Sequence, residues 1–208
     1  MEYSKEFKAA LSQFSHSEKD KLIFRLLKKD KLLSKKLYFE LIDEETTDDK
    51  RNTMESYIRD RISEISRYIS NPKYFLVLVR KLSAEITEHV KITTDKFGEA
   101  YLNLLLASEI LSHNDKLGKQ RFDAVYKLYI YLINKIFKAL IQIKKLDEDY
   151  WLEFDEILSD IDNKIHDNLY LEKLCISNGL EFNWLKCVNI PDHLELIVKN
   201  IRSQGFLR

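Results

Sequence analysis

Residues 125–143 read VYKLYIYLINKIFKALIQI, and how this run is buried decides the fold. It is nearly long enough to cross a bilayer, which takes about 20 apolar residues. Lys127, Asn134, Lys135, Lys138 and Gln142 interrupt it, so a spanning helix is not expected. At helical spacing Lys127, Asn134, Lys138 and Lys145 fall in one line, with Lys135 and Gln142 beside it. A basic amphipathic helix can lie on an anionic membrane. Here the apolar residues (Val125, Leu128, Ile130, Leu132, Ile133, Ile136, Phe137, Leu140, Ile141) wrap most of the circumference. That pattern predicts a core helix, expected over 116–145.

The rest of the chain agrees with a helical core. Of 208 residues, only four are glycine and two proline. Turns, sheets and long loops draw on both, so their scarcity predicts long helices with short connections. An apolar content of 45% suffices for one sizeable core and argues against wholesale disorder. The expected fold is all-α, with eight or nine helices in an antiparallel bundle or short superhelical array. One domain, 1–208, is expected, divisible near residue 70 into short helix pairs and a longer-helix part. No self-similarity at a fixed period supports a repeat array.

Punctuation places the elements. A first helix is expected at 2–13, and Ser17 with Asp20 suggests the start of a second, running to Lys29. Asp30 suits the cap of a third, turning Leu32, Leu33, Leu37, Tyr38, Phe39 and Leu41 inward. An acidic loop spans 43–49 and a helix 48–69. Asn71 and Pro72 form the clearest start, an N-cap followed by proline in the first turn. That helix runs 72–90, and one opened by residues 93–95 ends near 112–115. After the 116–145 helix, residues 146–149 (LDED) charge the start of the next. Asn178 and Gly179 mark a stop, and a last short helix begins at Pro191.

Charge is balanced, with 34 basic and 34 acidic residues, but sorted into blocks. From His16 to Tyr38 there are eight Lys and Arg against three acids. Lys21, Arg25, Lys28, Lys29, Lys35 and Lys36 form a candidate patch for phosphates, with Tyr38 and Phe39 available to stack on bases. The simpler expectation is a solvated face, with Leu22, Ile23, Leu26 and Leu27 turned to the core. Residues 39–49, with six acids and no base, argue against a nucleic-acid surface here. The second block, Asp147 to Asp162, holds eight acids and no Lys or Arg. Asp149, Glu153, Glu156, Asp160 and Asp167 are expected as one stripe on one helix, opposite Trp151, Phe154, Ile157, Leu158, Ile161 and Ile165. This stripe is the first candidate binding surface, suited to a basic partner. A tight metal site needs carboxylates converging with further ligands, which a stripe does not provide.

Catalytic motifs are sparse. His166 and Asp167 resemble the paired ligands of HD-type metal phosphohydrolases, which are all-helical. That family also needs a further His and Asp, for which His89 or His113 and Asp192 stand at poorly fitting spacings. There is no Glu-x-x-His pair for a di-iron site, no clustered glycines for a phosphate loop, and no Gly-x-Ser-x-Gly elbow. Cys175 and Cys187 do not form a redox or zinc motif, and buried, reduced thiols are expected. The first residues lack the pattern of a secretory signal, so a cytoplasmic setting is expected. The sequence thus predicts a non-enzymatic, cytoplasmic protein-interaction module using charged helical faces, with no cofactor or metal. A nucleic-acid-associated protein using residues 19–36 is the alternative, an HD-type enzyme the third. Oligomeric state stays open.

Overall fold

The computed structural model describes residues 3–186 and 189–208. These residues form eleven α-helices and three short 3₁₀ segments, without strands among them. The α-helices are α1 (Lys5–Ser12), α2 (His16–Lys29), α3 (Lys31–Leu41), α4 (Thr47–Ile65), α5 (Pro72–Thr93), α6 (Lys96–Leu111), α7 (Asn114–Leu117), α8 (Phe122–Ile143), α9 (Asp155–His166), α10 (Leu169–Ser177) and α11 (Leu194–Ser203). The 3₁₀ segments cover Ser66–Tyr68, Glu148–Phe154 and Phe182–Leu185.

The count exceeds the eight or nine expected because two long runs break. Residues 116–145 divide at Gly118, whose N–H closes α7 onto the Asn114 carbonyl at 2.8 Å, and α8 starts only at Phe122 after an extended Arg121. Residues 147–177 divide twice, at the 3₁₀ turn and at Asn168, which is extended and caps α10 through the Leu171 N–H at 3.1 Å.

Short polar side chains set most starts by accepting from the otherwise unpaired first-turn amides. Ser15, not Ser17, caps α2: its side chain accepts from the Glu18 N–H while Glu18 accepts from the Ser15 N–H, a complete capping box. Thr46 and Asp49 form the same box on α4. Asp30, Asn71 and Asp95 cap α3, α5 and α6 as their positions suggested. Gly179 lies just past α10 at φ +78°, and a Cβ there would stand 2.7 Å from the Ile201 side chain of α11. The positive φ favours glycine at that stop, and a larger residue would also have to displace the end of the Ile201 side chain.

One continuous apolar cluster runs from Ile58 to Leu207. Its centre is α6 packed on α8, with α5, α4 and α9 around α6, and α10 and α11 on α8. The core reading of residues 125–143 holds: Val125, Leu128, Leu132, Ile133, Ile136, Phe137 and Leu140 are all buried. Each such side chain contributes about 1.5–3 kcal/mol of transfer free energy. Polar seams align α4 on α6. Arg51 Nε meets Asp95 Oδ2 at 2.7 Å, its guanidinium lies 4.6 Å from the Phe97 ring, and Arg59 pairs with Glu109.

The N-terminal helices are arranged otherwise. No residue of α1, α2 or α3 is fully buried. Contacts run from α2 to α3 and from α3 to α5. Of the α2 face expected in the core, Leu22 and Leu27 are half-buried, but Ile23 and Leu26 are 47% and 51% exposed, and Phe24 beside them is 64% exposed. On α3, Leu33, Tyr38 and Leu41 are exposed too, whereas Leu32, Leu37 and Phe39 are half-buried toward α5. Residues 3–42 form an arm on the body, amphipathic but with its apolar side open. Helix α4, by contrast, buries Ile58, Ile62 and Ile65 in the same cluster as the later helices.

Candidate functional site

The acidic block does not fold as one helix. Trp151 Nε1 donates to the Ile143 carbonyl at 3.1 Å, tucking the chain under the end of α8, and the Lys144 ammonium sits 4.0 Å from the Trp151 ring. These contacts hold Glu148–Phe154 as 3₁₀, where residues advance by about 120° rather than 100°. The expected stripe is therefore broken. Glu153, Glu156 and Asp160 come together along a groove of about 500 Å³, with Arg59, Tyr101, Ser108, Glu109 and Lys164. Asp149 is exposed away from that groove. Asp167 lies instead at a separate cleft of about 410 Å³ lined by Phe122, Tyr129, Asn168 and Tyr170.

Charges within the groove are unevenly matched. Asp160 accepts from Lys164 at 2.6 Å and from the Ser108 hydroxyl at 2.5 Å. Glu109 is held by Arg59. Glu153 and Glu156 are exposed and carry no ion pair or hydrogen bond among the described residues. Burial, and then its hydrogen bond to Glu55, push the Tyr101 phenol up to about 12, and Glu156 adds to the effect. The groove is thus net negative, with a phenol that stays protonated. Among the described residues no group of three or more His, Cys, Asp and Glu is arranged to hold a metal ion.

The six basic residues of the candidate patch stay on the arm. Lys35 pairs with Glu88 of α5 at 2.6 Å, and Lys36 stands 3.7 Å from Glu40. Lys21, Arg25, Lys28 and Lys29 are exposed, with no carboxylate partner among the described residues. The neighbouring acidic run is spent locally: Asp43 and Glu45 close on Lys50, and Asp49 is in the α4 cap. Hydrogen bonding to Lys50 holds the Asp43 carboxyl below its usual range.

His166 does not assemble with the other residues of an HD-type centre. Its Nδ1 is 2.9 Å from Glu172, its Nε2 3.5 Å from Asp162, and its ring lies against Phe182. His89 lines a different pocket under the arm, and Asp192 pairs with Lys144 at 2.9 Å. Cys175 is a buried free thiol, and burial pushes its pKa up to about 12, so it is unreactive where it stands. Cys187 lies outside the described residues.

The basic line of α8 was visible in the sequence, but not the cleft that it forms with α11. Lys135, Lys138 and Lys145 line a space of about 470 Å³ with Asn134, Gln142, Tyr131 and, from α11, Val198 and Arg202. The basic stripe that begins on α8 does not pair with the acidic block through Lys138 or Lys145. It pairs elsewhere: Lys138 with Glu99 of α6 at 2.7 Å and Lys145 with Glu195 of α11 at 3.1 Å. Lys135 is half-buried, donating to the Ser83 hydroxyl and to Asn103 Oδ1 at 2.9 Å. Burial, reinforced by Lys138, pulls its ammonium down to about 8. One signal was legible: between Ala124 and Lys145 the chain carries five lysines and no acid to meet them.

No family model, curated protein or solved structure matches the chain. No helix among the described residues is long and apolar enough to cross a membrane.

Proposed function

We propose that the protein is a non-enzymatic interaction module of the cytoplasm that recognises a protein partner through charged helical faces. One observation carries this reading. The arm α1–α3 presents Phe7, Phe14, Ile23, Phe24, Leu26 and Leu41 to solvent. An exposed apolar surface gathered on one segment and accompanied by charge points to an interaction site. Lys21, Arg25, Lys28 and Lys29 border it, which suits a partner with an acidic rim and an apolar centre. The groove at Glu153, Glu156 and Asp160 supplies a second face, of opposite sign, for a basic segment.

The test is capture of partners from native extract with the tagged protein, its Phe24→Ser/Leu26→Ser variant and its Glu153→Lys/Glu156→Lys variant, each with and without nuclease. Both pairs are exposed, so melting should be unchanged. The reading expects a discrete set of nuclease-resistant proteins that one of the two variants releases. Identical recovery by all three proteins refutes it. The unpaired cations of α2 favour a second reading, nucleic-acid association. That reading expects recovery to vanish with nuclease and to fall steeply with salt.

A further inference from the structure

We infer that the cleft between α8 and α11 is a binding site for the phosphate monoester of a small hydroxylated molecule, held by Lys135, Lys138 and Arg202 with Gln142 taking a ligand hydroxyl. The site is independent of the arm and the acidic groove. Among the described residues four cations line the cleft and no carboxylate does. Glu99 and Glu195 stand outside the lining and each engages one lysine, Lys138 and Lys145. That leaves Lys135 and Arg202 without a directly paired carboxylate among the described residues, Glu99 acting on Lys135 only at longer range. Arg202 donates instead to Asn134 Oδ1 at 2.8 Å, and Lys135 to the neutral Ser83 and Asn103.

A half-buried ammonium whose direct acceptors are neutral is costly, and an anion placed beside it relieves that cost. The lowered pKa of Lys135, to about 8, is the same deficit seen from the proton's side. Phosphate supplies the charge and several acceptor oxygens at once, which is what converging Lys and Arg donors recognise.

Gln142 narrows the ligand further. Its Oε1 is buried and has no hydrogen-bond partner among the described residues. A buried, unpartnered acceptor on a residue that lines the cleft is complementary to a donor such as a hydroxyl. Phe137, Ile141 and Val198 form apolar walls, and about 470 Å³ fits a molecule of metabolite size.

The experiment is calorimetric titration of the full chain with glycerol 3-phosphate and with inorganic phosphate, repeated with phosphatidylcholine vesicles containing phosphatidic acid. Saturable one-to-one binding of glycerol 3-phosphate, tighter than inorganic phosphate, is expected. Arg202→Gln, an exposed change, should weaken it about tenfold or more, as loss of a charged hydrogen bond does. Lys135→Met should do the same, and Gln142→Leu should erase the preference over inorganic phosphate. Lys127→Gln, an exposed cation of α8 outside the cleft, should change nothing. The inference fails if neither soluble phosphate binds, if only vesicles do, or if Lys127→Gln weakens binding as much as Arg202→Gln.

Discussion

Replacing Lys135 by methionine should change how stability depends on pH, and in a direction opposite to that of most lysines. The folded chain holds this ammonium near 8, below its ordinary 10.5, chiefly through burial. Unfolding returns it to water and to the higher value. Between those two values the unfolded chain therefore binds more protons than the folded one, and stability rises with pH. Below pH 8 the folded state carries the full cost of a charged, half-buried Lys135, about 3 kcal/mol. Raising the pH from 7 to 9 should relieve about 1 kcal/mol of it, and reaching pH 10 about 2.5 kcal/mol. Methionine fills similar volume without the charge. It leaves Ser83 and Asn103 short of one donor each, at about 1–3 kcal/mol apiece, but neither group titrates in this range. The absolute stability of the variant is thus a near balance, whereas the difference in slope isolates Lys135. The assay is urea unfolding followed by circular dichroism at pH 7, 8, 9 and 10 for both proteins. The wild type should gain on Lys135→Met by about 1 kcal/mol by pH 9. Parallel profiles, or a wild type that loses ground, would show that Lys135 is not desolvated and remove this support for an anion site.

Other expectations follow from the same packing. Asp95→Ala should cost about 2–4 kcal/mol in chemical denaturation, because it removes the α6 cap and leaves the Arg51 guanidinium with only the exposed Asp48 carboxylate, the Asp95 side chain being 4% exposed. Gly98→Ala should weaken the same pair, since a Cβ there collides with Asp95 Oδ2; a thermal scan should show a clear drop in Tm. Phe137→Ala should cost about 3–5 kcal/mol, while Phe24→Ala on the arm should stay within about 0.5 kcal/mol. Equal losses at the two phenylalanines, measured by urea titration, would mean that the arm's apolar side is covered in the free protein. In a Cys187→Ser chain, Cys175 should react with a thiol reagent only at the rate of unfolding, and fast labelling of the native protein would contradict its burial.

Much of the fold was legible because helices are local objects. Asn71 with Pro72, Asp30, Asp95 and Gly179 mark boundaries by what their own backbone and side chains can do, so these positions could be read without knowing their neighbours. Where two residues compete for one role, the reading slipped. Ser15 and Ser17 both suit a cap, but only Ser15 has a Glu three residues on to complete the box. The acidic stripe slipped for another reason. Its periodicity assumed a helix throughout, while the bond from Trp151 to Ile143 imposes 3₁₀ geometry that no 100° wheel contains. Glu153, Glu156 and Asp160 still gathered, but with Arg59, Tyr101 and Glu109, which lie about 40–100 residues earlier in the chain.

The sequence by itself determined that the described chain is helical, that residues 125–143 are a core helix rather than a membrane span, and where most helices start. Those properties depend on glycine and proline content, apolar periodicity and capping chemistry, all of which act over a few residues. Only the tertiary structure decided which amphipathic faces are covered. The leucines of α2 and the isoleucines of α4 show the same kind of pattern. Yet Ile58 and Ile62 are sealed beneath α5 and α6 while Ile23 and Leu26 face water. It also decided the partners of the charges, placing Lys138 on Glu99 and bringing Arg202 to the α8 cleft across 64 residues of chain. Burial and ion pairing are set by what comes close in space, and no local pattern encodes that distance.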